Sequence, residues 1–119
     1  MNKPQLHAEP SLHHEEPPNA ARLETGAATF RMLSDPTRLH ILWLLTQGPA
    51  DVTSLVEQTG ATRTSVSQHL AKLRFSGLVS TRKHSRHVVY SIIDGHLARL
   101  VEEGINHADH RVSGEPPHD

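Results

Sequence analysis

The chain contains no cysteine, and this absence excludes disulfides, thiolate metal sites and cysteine nucleophiles together. Any metal site must therefore use nitrogen and oxygen ligands. Aromatic residues make up only 3% of the 119 residues, so one domain of this length needs a sparse core built from aliphatic side chains. A sparse core favours additional burial against a second chain.

No run of about 18 apolar residues occurs, and the N-terminus lacks the apolar segment of a secretion signal. We therefore expect a cytoplasmic protein with no membrane partner. Residues 1–18 contain four prolines and three histidines and little that could pack, so we expect a disordered tail there. One domain over residues 19–110 and a flexible tail over 111–119 follow in this interpretation.

Acidic residues are absent from residues 58–93, which we call the cationic segment. Six lysines and arginines and three histidines fall within it, although the net charge of the whole chain is −1. A surface with this separation of charge suits a polyanionic partner such as nucleic acid.

Two helices are indicated before residue 50. The first begins after Asn19, which can act as its cap, and is rich in small residues. The second lies between the start signal Asp35-Pro36 and the stop signal Gly48-Pro49. We expect four of its residues to form the core: Leu39, Leu42, Trp43 and Leu45.

The stretch "DVTSLVEQTGATRTSVSQHLAKLRFSGLV" divides at Thr59–Ala61 into a short and a longer helix, which predicts a helix-turn-helix. Val66, Leu70 and Leu73 recur at helical spacing and are expected to face inward. The outward side chains are short hydrogen-bonding or basic groups, the types that contact bases and phosphates in a major groove. They are Arg63, Thr64, Ser67, Gln68 and Lys72.

Beyond Gly77 the period changes to alternation, with Val88, Tyr90 and Ile92 on one face. We expect a two-stranded hairpin with a cationic tip. A helix-turn-helix followed by a hairpin is a winged helix-turn-helix, so the fold class is mainly α with a small β-hairpin. The wing would contact phosphates through Arg82, Lys83 and Arg86.

The last helix, "DGHLARLVEEGINHADH", carries histidines near both ends. At about 100° and about 1.5 Å per residue, His96, His107 and His110 share one stripe, but His96 and His107 are about 16 Å apart. Two antiparallel copies of the helix would place Asp94 and His96 of one chain beside His107 and His110 of the other, in two equivalent sites. The neighbouring apolar stripe would form the dimer seam through Leu97, Leu100, Val101, Gly104 and Ala108. Spacing alone leaves open that these are ordinary surface histidines.

Residues 20–110 resemble the ArsR/SmtB family of metal-sensing winged-helix repressors, through "FRMLSDPTRLHILWLL", "VSQHLAKLRFSGLV" and "HVVYSI". The resemblance implies a homodimer through the first and last helices, and operator DNA read by Arg63, Thr64, Ser67 and Gln68. It implies that metal bound at Asp94, His96, His107 and His110 weakens operator binding. It also implies a relay in which His107 donates its other ring N–H to the carbonyl of Gly77. The cysteine site found in other members is replaced here by "DVTSLVE", which argues against sensing of arsenic, cadmium or lead.

Four nitrogen and oxygen donors satisfy tetrahedral zinc, whereas six-coordinate nickel or cobalt needs about two more. Additional donors are available, and we slightly favour nickel or cobalt over zinc. These donors are His7, His13, His14, Glu103 and His118.

Two alternative functions remain at this point. One is a winged-helix regulator that is not controlled by metal. The other is a metal-dependent enzyme, although the chain has no HExxH motif, nucleophile elbow or glycine-rich phosphate loop. Contact with RNA polymerase or with a partner regulator stays open, as do the operator, the target genes and the choice between repression and activation.

Overall fold

The computed structural model describes residues 16–114. Within this range the elements are α1 (Ala20–Leu33), α2 (Pro36–Thr46), α3 (Val52–Thr59), α4 (Arg63–Phe75), β1 (Val79–His84), β2 (His87–Ile92) and α5 (Gly95–Ser113). The predicted winged helix-turn-helix, mainly helical with one small hairpin, is confirmed. No helix among residues 16–114 is long and apolar enough to span a bilayer. Of the predicted tails at 1–18 and 111–119, residues 1–15 and 115–119 lie outside the described residues. Helix α5 continues three residues past His110.

Every helix begins at a side chain that accepts a hydrogen bond from a backbone N–H three residues later. Such a cap satisfies one of the N–H groups that a helix start leaves without an intrahelical partner. The donor–acceptor distances are 2.9–3.1 Å, and the caps are Asn19, Asp35, Asp51, Thr62 and Asp94. The cap that the sequence predicts at Asn19 and the start signal at Asp35 are therefore confirmed.

Helix α2 lies at the centre of the core. Leu42 and Leu45 are buried as predicted, but Ile41, which the sequence prediction omitted, is fully buried as well. Leu39 and Trp43 are only partly buried at the edge of the core. Residues from every later element except β2 complete the buried set: Leu55, Val66, Leu70, Leu73, Val79, Leu97 and Val101.

The expected dimer seam on α5 is wrong at two of its positions. Leu97 and Val101 are 6% and 0% exposed within the single chain and belong to its own core. Leu100 packs partly against the same core, whereas Gly104 and Ala108 are exposed. The apolar stripe of α5 therefore mainly holds the helix against its own chain.

Helix α1 has no buried residue along its 14 positions. Leu23 and Phe30 expose 58% and 59% of their surface. A helix of this length is marginal in water without tertiary packing. The stability of α1 by itself is therefore marginal.

The hairpin pairs β1 with β2 antiparallel, from Val79 opposite Ile92 to His84 opposite His87. Ser85 turns the chain with a positive φ of 60°. Two hydrogen bonds between Ala50 and Tyr90, of 3.0 and 2.8 Å, fasten the hairpin to the segment before α3. The wing is thus attached to the helix-turn-helix through backbone contacts.

Candidate nucleic-acid interface and metal centre

Helix α4 has one buried and one exposed face, as expected of a reading helix. Val66, Leu70 and Leu73 are fully buried. The five residues predicted to contact DNA are all exposed on the other face: Arg63, Thr64, Ser67, Gln68 and Lys72. Gly60, which joins α3 to α4, has a φ of 75° that favours glycine. The helix-turn-helix thus presents a polar and basic surface to solvent.

The guanidinium of Arg63 is held by the neighbouring helix. Its Nη1 donates a hydrogen bond to Thr53 Oγ1 of α3 at 3.2 Å. Since only one of its five N–H donors is used there, the others can still contact a base or phosphate. Thr53 therefore orients Arg63, the first basic residue of α4, and leaves most of its N–H donors for other contacts.

The wing carries unpaired positive charge. Arg82 and Lys83 lie in β1, and Arg86 lies in the turn, and all three are exposed. Across residues 16–114, none of the six lysines and arginines of the cationic segment forms an ion pair. Their charges are therefore available to phosphates, where each contact releases condensed counterions.

Two histidines of the cationic segment instead face the carboxylates that cap helices. His69 Nε2 lies 3.6 Å from Asp35 Oδ2, and His87 Nδ1 lies 3.5 Å from Asp51 Oδ2. The backbone N–H of Arg38, together with the nearby side chains of His69 and Arg38, holds the pKa of Asp35 below its ordinary value despite partial desolvation. His69 and His87 therefore connect the DNA-binding elements to helix starts outside the segment.

The predicted metal ligands lie on one unbroken helix and are mostly exposed. Asp94, His96 and His107 are exposed and His110 is partly buried. Among residues 16–114, no group of three or more potential ligands comes close enough to hold one ion. Within residues 16–114 of one chain the four predicted ligands therefore do not meet, in agreement with the helical spacing. Whether the four residues meet across a dimer stays a prediction.

Asp94 has a structural task as well as the predicted ligand task. Its Oδ1 accepts a hydrogen bond from the backbone N–H of Leu97 at 2.9 Å, which caps α5. A carboxylate has a second oxygen with its own lone pairs. Asp94 can therefore cap the helix and still offer an oxygen to a cation.

Arg99 contacts His96, and the sequence prediction missed this contact. Arg99 Nη2 donates to His96 Nδ1 at 3.0 Å. The two residues are three positions apart on a helix, a spacing at which side chains are neighbours, so the sequence did hold the signal. A cation that binds His96 through Nδ1 has to displace this guanidinium.

The other predicted donors are only partly described. Glu103 is exposed on α5, whereas His7, His13, His14 and His118 lie outside the described residues. No hydrogen bond joins His107 to the carbonyl of Gly77 within the described part of the chain, so the relay stays a prediction. The nitrogen and oxygen donors present suit zinc, nickel or cobalt and contain no soft thiolate.

Residues 35–81 match the sequence model of a protein family, the bacterial regulatory proteins of the arsR family. These residues span α2, α3, α4 and the start of the wing. The transcriptional regulator KmtR of Mycobacterium tuberculosis is 43% identical over 89 residues, covering 75% of this chain and 68% of the relative. A Streptomyces lividans protein named as a probable mercury resistance operon repressor is 38% identical over 78 residues, covering 66% and 62%.

Among solved structures, a homodimeric winged helix-turn-helix DNA-binding domain of Mycobacterium bovis matches with a TM-score of 0.72. It is 32% identical, and the match covers 84% of this chain and 93% of that domain.

Proposed function

The chain belongs to the arsR family of bacterial regulatory proteins, and from this premise we propose that it is a metal-responsive transcriptional repressor. In this proposal a homodimer binds operator DNA and is released when nickel, cobalt or zinc binds between the two copies of α5. Because the family consists of DNA-binding regulators of transcription, the alternative of a metal-dependent enzyme is wrong.

One observation carries the proposal of a shared metal site. His96, His107 and His110 share one stripe of a single 19-residue helix that Asp94 caps, and three of these four donors are exposed. The donors at the two ends of such a helix are too far apart to meet around one ion, since the helix rises about 1.5 Å per residue. An antiparallel partner copy completes each set, with Asp94 and His96 from one chain and His107 and His110 from the other.

Mixing two damaged chains tests this arrangement. In a heterodimer of a His96→Ala chain and a His107→Ala chain, one site recovers all four ligands and the other loses two. Calorimetry should therefore find one tight ion per heterodimer, whereas each homodimer should bind weakly. His84→Ala, which removes a histidine from the wing, is the control. Two tight sites, or none, in the heterodimer would contradict the antiparallel arrangement.

The choice of metal depends on the number of donors. Four ligands complete tetrahedral zinc, whereas nickel and cobalt accept about six. Glu103 is exposed on the same stripe and supplies a further oxygen, and for this reason we favour nickel or cobalt. The d–d absorption of bound cobalt separates four-coordinate from six-coordinate geometry. A weak, six-coordinate spectrum that becomes intense in Glu103→Gln supports the larger shell, and an intense spectrum in the wild type supports zinc.

DNA binding in this proposal combines base contacts from α4 with phosphate contacts from the wing. Arg63→Ala should weaken operator binding and relax sequence preference, whereas Lys83→Ala should weaken binding to all duplexes alike. Both effects are measured by fluorescence anisotropy across a salt series. Operator affinity that does not change between low and moderate salt contradicts the electrostatic part of the proposal.

The metal response rests on linkage between the two binding events. If metal weakens operator binding, operator DNA must weaken metal binding by the same factor, commonly about 5–150-fold. In our proposal His107 carries this coupling by donating its other ring N–H to the Gly77 carbonyl at the end of the reading helix. Equal metal affinity with and without operator DNA means that the site is not regulatory, and the alternative of a winged-helix regulator without metal control then stands.

A further inference from the structure

Three side chains connect the end of α1, the start of α2 and the middle of α4. We call Asp35, Arg38 and His69 the corner cluster. Its hydrogen bonds are partly buried, and the His69 side chain is 18% exposed. His69 is flanked on α4 by the buried residues Val66, Leu70 and Leu73, so it lies at the border between the packed face and the exposed face of the helix.

Arg38 links two elements through one planar group. Its Nε donates to the backbone carbonyl of Met32, in the last turn of α1, at 2.9 Å. Its Nη1 donates to His69 Nδ1 of α4 at 3.3 Å. Because the guanidinium is rigid and planar, these two hydrogen bonds have a fixed geometry relative to each other. The end of α1 and the middle of α4 are therefore connected by a stiff bridge.

Both ring nitrogens of His69 take part. A neutral imidazole has one acceptor and one donor nitrogen, so when Nδ1 accepts from Arg38, Nε2 carries the proton. That proton faces Asp35 Oδ2, which lies 3.6 Å from Nε2. The same carboxylate oxygen accepts the backbone N–H of Arg38 at 3.0 Å. The cluster is thus a closed set of contacts in which each member touches both others.

Directional contacts matter here because apolar packing is not directional. The other side chains that hold α4 in the core are aliphatic, and such contacts permit small rotations and shifts at little cost. Gln68 and Lys72, one position before and three positions after His69, are exposed, and the proposed function has them contact DNA. A change in the orientation of His69 therefore displaces the groups that contact bases and phosphates.

We propose that His69 is a positioning residue for DNA recognition. Through Arg38 and Asp35 it fixes the orientation of α4 relative to the corner between α1 and α2, and so sets how α4 is presented to DNA. A dimer has to match half-sites about one helical turn of DNA apart, so this placement determines operator affinity. The involvement of α1 in the dimer rests on the proposed function, whereas the link between α4 and the α1–α2 corner does not.

Two substitutions at one position separate hydrogen bonding from packing. His69→Leu fills a similar volume with an apolar side chain and loses both polar contacts. His69→Gln keeps an amide oxygen to accept from Arg38 and an amide N–H to donate to Asp35. We expect the leucine variant to lose operator affinity by about 5–30-fold, since each of two chains loses a partly buried hydrogen bond, and the glutamine variant to stay within about twofold.

The controls identify the cause. Binding to random duplex should change little in His69→Leu, because the exposed lysines and arginines are untouched. His40→Leu removes an imidazole from the exposed face of α2 and should leave operator binding unchanged. If His69 only stabilised the fold, the loss of operator affinity would be accompanied by a matching loss of thermal stability. Thermal unfolding is therefore measured on the same samples.

Helix placement can also be measured directly, because the chain has no cysteine and one introduced thiol can be labelled alone. A spin label at Ala71→Cys on the exposed face of α4 reports the distance between the two reading helices of the dimer. His69→Leu should broaden or shift the distance distribution, and His69→Gln should restore it. Arg38→Lys should broaden it as well, because one ammonium lacks the fork that bonds Met32 and His69 together.

Unchanged operator affinity and an unchanged distance distribution in His69→Leu overturn the proposal, as does failure of His69→Gln to restore either. If His69→Leu does not fold, Arg38→Lys decides by the same two measurements. The metal response of the wild type is assayed separately with zinc, nickel and cobalt. If metal does not change operator binding by the wild type but His69→Leu still weakens it, only the metal proposal is contradicted. If metal does weaken operator binding but His69→Leu has no effect, only the positioning role is contradicted.

Discussion

Two substitutions of Asp94 should separate its role as the cap of α5 from its proposed role as a metal ligand. Asp94→Asn keeps a side-chain oxygen that can accept the N–H of Leu97, now 2.9 Å away, and asparagine is as good a cap as aspartate. Asp94→Ala removes the cap, which costs about 1 kcal/mol of folding free energy. For a folded region of this size that cost lowers Tm by about 4 °C. The cap precedes Leu97, which is buried in the core, so fraying at this point exposes core surface.

Metal binding should follow a different pattern from stability. Both variants lose the carboxylate, so both should bind nickel, cobalt and zinc more weakly than the wild type, whereas only Asp94→Ala should melt earlier. Thermal unfolding without metal, at one fixed protein concentration, and calorimetric metal titration are the two measurements. Equal loss of Tm in both variants refutes the cap, and wild-type metal affinity in Asp94→Asn refutes the ligand role.

Three further changes test the core, the corner cluster and the contact beside the metal ligand. Leu70→Ala removes a fully buried side chain and should cost about 2–5 kcal/mol in urea unfolding; a cost below about 1 kcal/mol contradicts the core assignment. Because the folded-state pKa of Asp35 is lowered from 3.8, its charge stabilises the fold above that pH. The stability difference between wild type and Asp35→Asn should shrink as pH falls below it, and a difference that grows in acid contradicts the contact. Arg99→Ala removes a competing donor and a nearby positive charge from His96, so metal affinity should rise about three- to tenfold, against Arg22→Ala as control.

The local elements of this protein were predictable because their signals act over a few residues. Asn19 and Asp35 accept N–H groups three residues later, and that geometry follows from helix formation alone. The alternation after Gly77 identified the hairpin for the same reason, since successive side chains of a strand point to opposite faces. The exposure of Arg63 and Lys72 on α4 followed from helical periodicity.

The spacing of apolar residues did not indicate which part of the structure would cover the apolar side of α5. Leu97 and Val101 share an apolar stripe on α5, and the sequence predicted that a second chain would cover it. They are instead buried within their own chain, because α5 packs on the core that contains α2. Helical geometry alone places two residues four positions apart on the same side of a helix. Which neighbour covers that side depends on how all the elements pack.

The sequence by itself determined the order of the helices and strands, the caps at Asn19 and Asp35, the acid-free segment and the donor types available for metal. Only the tertiary structure decided that His69 meets Arg38, 31 residues away, and that His87 faces Asp51. Local hydrogen bonds and side-chain period constrain residues within about one or two turns. A contact between distant side chains depends on the distance and angle between packed elements, and these arise from the joint burial of apolar side chains from α2, α3, α4, β1 and α5.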